Sequence, residues 1–261
     1  MILKEIIAQL QAAAPEELAQ EWDNVGLLVG DDAQEIGGIY IALDADEAAI
    51  AEAKAAGAEL LLTHHPLIFS PLKKINRDSF TGARIVELLQ SHMCCYAMHT
   101  NFDASHMGRL AAERIGLSVE APLADLMVRD GMEYGIGVVG ELDGACTLHA
   151  LGKLVKERFD ARSVRLFGDP EGKVRRIAIC PGSGKSTIGD AVLAGADVLL
   201  TGDIDHHSGI DAVAQGLRII DAGHYGLEHI FTGFMEQYLR KRLAGVRIAV
   251  QPHREPFDVI E

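Results

Sequence analysis

The sequence predicts an α/β protein made of two similar halves that arose by internal duplication. Three observations carry this: a gapless repeat, short β-branched runs alternating with Ala-rich helical stretches, and a glycine closing each such stretch. Ala56-Gly57-Ala58-Glu59-Leu60-Leu61-Leu62-Thr63 matches Ala194-Gly195-Ala196-Asp197-Val198-Leu199-Leu200-Thr201, 138 residues later, and the same offset lays residues 39–43 on 177–181. Self-similarity of this kind identifies a supersecondary unit used more than once. Strands alternating with helices imply βαβ crossovers and a largely parallel sheet.

The elements follow in order. Residues 1–7 read as the start of a short amphipathic helix. Residues 39–43 and 60–62 are apolar runs that suit buried strands, with a helix over 46–56 between them and Gly57 as its C-cap. A strand near 95–98 comes next, then a helix from about Ala104 for which Asp103 is a plausible N-cap. Residues 129–143 are Gly-rich with β-type alternation. A helix over 147–159, a strand near 164–167 and a turn over 168–172 come before the second copy of the unit. That copy has a strand at 177–180, a helix over 186–194 capped by Gly195, and a strand at 198–200. A strand near 217–220, a helix over 225–243 and a strand at 246–250 finish the chain. The expected division is residues 1–125 and 126–261, with the last helix and strand packing back on the first half.

Composition bounds the function. The chain has 261 residues, 48% of them hydrophobic, so it can bury a sizeable core. Its net charge of −14 disfavours nucleic acid and anionic membrane surfaces, both of which call for a basic face. No apolar run reaches the roughly 18 residues of a membrane-spanning helix, and the first residues lack the pattern of a signal peptide. The four cysteines form no CxxC pair, which fits a reduced, cytoplasmic setting.

Ligands of α/β sheets bind beyond the carboxyl ends of the strands. Three expected strand ends carry imidazoles and carboxylates: Thr63-His64-His65-Pro66, His99-Thr100-Asn101-Phe102-Asp103, and Gly223-His224-Tyr225-Gly226-Leu227-Glu228. His224 and Glu228, spaced i, i+4, share one helix face. His64, His65, Asp103, His224 and Glu228 form a nitrogen and oxygen donor set suited to Zn, Fe or Mn. Five donors are many for one open site and suit two divalent ions per chain, sharing a bridging carboxylate and a bridging water. Each motif alone also has a plain reading, as a surface or core histidine, a helix-start pair or an N-cap. Adjacent strand residues point to opposite faces, so His64 and His65 serve one site only if the chain turns at Pro66.

Other features are weaker. Gly182-Ser183-Gly184-Lys185-Ser186 resembles the end of a P-loop, but Ile179 stands where its first glycine belongs. It reads as a tight turn or as an anion-holding turn before a helix. Asn101, Ser183, Lys185 and His207 are the polar candidates for substrate contact. Trp22-Asp23-Asn24-Val25-Gly26 reads as a structural turn, with substrate contact as the alternative. The roles of Asp203, His206 and His207 stay open.

Together, Trp22-Asp23-Asn24-Val25-Gly26-Leu27, Leu62-Thr63-His64-His65-Pro66, His99-Thr100-Asn101-Phe102-Asp103, Thr201-Gly202-Asp203 and the His224–Glu228 phrase resemble the NIF-three-like dinuclear metal-binding family, also called GTP cyclohydrolase 1 type 2 homologues. The resemblance implies two similar α/β domains with a metal site between them. The same five residues would be the ligands, the chain would be the short form without an inserted domain, and it would assemble as a toroidal homohexamer. The implied chemistry is metal-dependent hydrolysis of a small molecule such as GTP. A metal-bridging water would attack, and Glu228 or Asp103 is the residue that would accept its proton. The alternative is a metal-binding or metal-handling protein, or an assembly scaffold, without turnover.

Overall fold

In the computed structural model, which describes residues 1–260, the chain begins with α1 (Leu3–Ala13), β1 (Gly26–Val29), β2 (Gly38–Ala42), α2 (Glu47–Ala55), β3 (Leu60–Thr63), α3 (Phe80–Gln90), β4 (Cys94–Ala97) and the single turn α4 (Thr100–Phe102). A π-helical turn (Asp103–Met107), α5 (Gly108–Ile115), β5 (Ser118–Arg129), β6 (Met132–Thr147), α6 (Leu148–Arg158), β7 (Arg165–Phe167) and β8 (Lys173–Ser183) follow. Then come α7 (Ile188–Leu193), β9 (Val198–Gly202), α8 (His206–Ala214), β10 (Arg218–Asp221), α9 (His224–Glu228), α10 (Ile230–Arg240) and β11 (Arg247–Val250). Two compact units result. Met1–Phe102 and Phe231–His253 form the first; Asp103–Ile230, with residues from Arg254 onward, forms the second.

The first unit carries a five-stranded sheet in the order β1-β4-β3-β2-β11, parallel except for β1 against β4. Its central strands β2, β3 and β4 are short and fully buried, which is why they read as continuous apolar runs rather than as alternation. The Asp46 side chain caps α2 by accepting from the Ala49 amide at 2.7 Å, and Gly57 follows that helix with φ +64°. Tyr40, Ile50, Leu61, Ile85 and Leu88 lie together in the core between the sheet and the helices α2 and α3.

The second unit carries a six-stranded sheet in the order β5-β6-β8-β9-β10-β7. Here β8, β9 and β10 are parallel, and β5, β6 and β7 join antiparallel. The register repeats that of the first unit. Ile39 pairs with Leu60 and Ile41 with Leu62; at the same sequence offset, Ile177 pairs with Val198 and Ile179 with Leu200. Side-chain contacts repeat as well. Glu59 accepts from the amides of Gly37 and Gly38, and Asp197 accepts from the amides of Arg175 and Arg176. The edge strands β1 and β7 each run antiparallel to the last parallel strand of their unit.

Four expectations are adjusted. The hairpin of β5 and β6 begins at Ser118 rather than near 129, because Pro122 and the bulge between Ala124 and Met127 interrupt the alternation that marks a strand. The division between the units falls after Phe102 rather than near 125, because the π-turn and α5 pack on β6. The helix expected over 186–194 starts as a 3-10 turn (Gly184–Thr187) before α7. The helix expected over 225–243 is two helices, α9 and α10, with His229 at the break.

Candidate metal centre

In the first unit the donors gather at the carboxyl ends of β3 and β4. The strand β3 stops at Thr63, whose hydroxyl donates to the His65 carbonyl at 2.8 Å, while the His65 amide donates to Leu43. This curl removes the strand's alternation, so His64 and His65 do not diverge; their ring centres lie 4.9 Å apart. His99, just beyond β4, joins them. One ring nitrogen from each of His64, His65 and His99 lies within 4.8 Å of the other two, a group that could hold a metal ion.

Hydrogen bonds define how each ring is presented. His64 Nδ1 lies 2.7 Å from the Met98 carbonyl oxygen, His65 Nδ1 lies 2.8 Å from Asp44 Oδ1, and His99 Nδ1 lies 3.0 Å from both Asp23 oxygens. Carbonyl and carboxylate oxygens only accept, so Nδ1 carries the proton and a neutral ring keeps its lone pair on Nε2. Metal-ligating histidines usually have this second contact, which fixes tautomer and orientation. Burial alone would raise the Asp23 carboxyl, but hydrogen bonds from His99 and Thr100 outweigh it and hold the group at about 2. Asp23 is therefore a carboxylate at neutral pH, committed to positioning His99.

In the second unit, His224 opens α9 and Glu228 closes it. His224 Nδ1 lies 3.0 Å from Asp203 Oδ2, and its Nε2 lies 2.9 Å from Glu228 Oε2. Two ligands about 2.0–2.2 Å from one cation stand roughly 3 Å apart, so the separation suits a shared ion. Glu228 is buried, and the end of β8 is shaped around it. Gly182 has φ +75°, and a Cβ there would collide with Glu228 Oε1. Gly202 similarly lets β9 end against the backbone of Gly223 and His224. Asp103 opens the π-turn instead of capping a helix; such turns recur at functional sites. Burial pushes the Cys180 thiol up to about 12, and the carboxylates of Asp103 and Glu228 add to the shift, so both lie in the electrostatic range of one buried side chain.

The residues proposed for substrate fare differently. Asn101 is fully buried and donates from Nδ2 to the Ala14 carbonyl, fastening the end of α1 rather than facing a ligand. Ser183 and His207 are exposed, and Lys185 is ion-paired with Asp205 at 2.8 Å. The Gly184 amide donates to Thr201 Oγ1, so the Gly182-Ser183-Gly184 turn spends that group internally rather than on an anion. His99 and Gly182 are the residues that sequence reasoning left outside the candidate site. His99 carried a signal, its place after a strand in a matching phrase. Gly182 carried none, since its role depends on a distant side chain.

The fold and these side chains define a two-unit α/β protein whose imidazoles and carboxylates could hold a metal ion. The chain belongs to the Duf34/NIF3 (NGG1p interacting factor 3) family, whose profile matches residues 1–256. It is 36% identical to the "GTP cyclohydrolase 1 type 2 homolog" of Clostridium perfringens, with 100% of both chains aligned. Among solved structures it is similar to the hypothetical protein SA1388 of Staphylococcus aureus, with a TM-score of 0.88, 29% identity, and 100% of this chain and 99% of the other covered. A Bacillus cereus protein related to NIF3 matches with a TM-score of 0.87 and 25% identity over 100% of this chain and 99% of the other. Among the described residues, no helix is long and apolar enough to cross a membrane.

Proposed function

We propose that the chain is a dinuclear-metal-dependent hydrolase acting on a nucleotide or related heterocycle, with GTP as the first substrate to test. The observation that carries the reading is a repeated one: His64, His65, His99 and His224 each commit Nδ1 to an oxygen acceptor. A ring fixed through Nδ1 is oriented to present Nε2 as the cation-facing nitrogen, as His224 presents its Nε2 beside Glu228 Oε2. In this reading His64, His65, Asp103, His224 and Glu228 hold two divalent ions, Zn, Fe or Mn. When bound, the ions supply Lewis-acid polarisation of the substrate and acidify water toward neutral pH. The chain's own groups do the rest. Asp44, Asp23, Asp203 and the Met98 carbonyl orient the imidazoles, Glu228 or Asp103 accepts the proton of the attacking water, and Ser183, Lys185 and His207 are the polar groups for the substrate.

The nucleotide comes from the names of the relatives. With GTP, attack would fall on the imidazole ring of the purine, opening it and then releasing formate. The reading includes a homo-oligomer, a toroidal hexamer by family resemblance, and a cytoplasmic setting for the four free cysteines. The test is incubation with GTP after reconstitution with Zn, Mn or Fe(II), followed by chromatography and a formate assay, with metal content measured on the same samples. Metal-dependent loss of GTP with release of formate is expected. Intact GTP at full metal occupancy would overturn that substrate, and a nucleotide panel left wholly intact would favour the metal-handling alternative.

A further inference from the structure

We infer that Trp22 and Phe69 form a stacking platform that receives the flat heteroaromatic ring of the substrate. Both side chains are largely exposed, at 59% and 57%, and their ring centres lie 5.8 Å apart. Isolated exposed apolar residues need no explanation. These two are not isolated: each also lies against His99, at 6.1 and 6.3 Å between ring centres. They therefore stand at the edge of the three-imidazole cluster, where a substrate held there would extend its ring.

The platform is built rather than incidental. Asn24 donates from Nδ2 to the Ile68 carbonyl at 2.6 Å, tying the Trp22 turn to the loop that carries Phe69. The neighbouring Asp23 is fixed by His99 and Thr100, so the turn is anchored on both sides of Trp22. Rings fixed before binding lose little freedom when a ligand stacks on them. From His65 a pocket of about 360 Å³ continues past Phe69 and Leu72 to Phe80, with Arg84 on its wall. Such a volume matches small-molecule sites and is too small for a folded partner. An aromatic wall beside imidazoles suits a planar ring with polar edges, and every nucleobase offers a face for stacking. The choice of a nucleobase rests on the hydrolase reading, whereas the stacking contact does not depend on bound metal.

Trp22 is the only tryptophan in the chain, so its emission reports on the platform directly. The experiment titrates the full-length protein with guanosine, adenosine, ribose 5-phosphate and inorganic triphosphate, following Trp22 emission in Zn-reconstituted and in chelator-treated samples. Saturable quenching by the nucleosides, but not by ribose 5-phosphate or triphosphate, is expected in both samples. Phe69→Leu, at an exposed position, should weaken nucleoside binding about tenfold while leaving metal content unchanged. Absence of saturable quenching, or equal quenching by ribose 5-phosphate, would overturn the platform. So would an emission maximum that is blue-shifted, insensitive to nucleosides and red-shifting on dilution, which would put a second copy of the chain on these rings. Loss of quenching together with normal metal content would overturn the platform and leave the hydrolase reading intact; quenching by a protein that retains no metal after Zn reconstitution would leave the platform intact and overturn the hydrolase reading.

Discussion

At the residue scale, Gly182 and Asp23 matter as much as the donors. Gly182→Ala would drive a methyl group into the Glu228 carboxylate from a backbone with φ +75°. We predict that this variant folds, with a melting temperature lowered by a few degrees, but binds divalent metal at least about tenfold more weakly by calorimetric titration. Asp23 makes a pH prediction. Its folded carboxyl sits at about 2, below the ordinary 3.8, so the stability it contributes is complete above the ordinary value and is lost as pH falls through about 2. The melting temperature of wild type should therefore exceed that of Asp23→Asn most at neutral pH, and the gap should close between about pH 4 and pH 2. A gap that is constant across that range would mean the carboxylate is not held by His99 and Thr100 as described. Both residues explain why site reasoning from sequence stops short. The candidate donors are legible from their types and their places after apolar runs. The supporting contacts join residues far apart in the chain, and Asn101 looks ligand-facing only until the turn of α4 carries it inward against Ala14.

At the element scale, the repeated unit is held by a repeated device. Glu59 in the first unit and Asp197 in the second each accept two successive backbone amides at the start of the neighbouring strand. Removing either carboxylate leaves those amides without that acceptor at a partly buried strand end. Glu59→Ala and Asp197→Ala should each cost about 1–3 kcal/mol in denaturant unfolding, with metal content unchanged. An effect below about 0.5 kcal/mol in both would show that water replaces the carboxylates without cost. The parallel core of each unit was legible because fully buried strands read as unbroken apolar runs and because the offset repeats. The β5–β6 hairpin was legible only in its second half. Pro122 and a bulge hide the first strand, and Asp125 adopts φ +50° within it.

At the scale of the whole molecule, duplication explains both the fold and the distribution of chemistry. Each unit has parallel strands, and the segments that follow their carboxyl ends carry the imidazoles and carboxylates. The two copies have diverged at equivalent places. Where Thr63 is followed by His64 and His65, Thr201 is followed by Gly202 and Asp203, so one copy offers imidazoles and the other offers space and a carboxylate that orients His224. The acidic balance of −14 accords with a small-molecule or metal role rather than one on nucleic acid. The central claim is that His64, His65, Asp103, His224 and Glu228 hold two ions. Its most direct test is the metal content per chain by elemental mass spectrometry, on untagged protein purified without chelators, for wild type and Glu228→Ala. Wild type is expected to give a ratio near two, and a folded Glu228→Ala a clear loss. A ratio near zero that persists after reconstitution with Zn, Mn and Fe(II), or an unchanged ratio in Glu228→Ala, would contradict it.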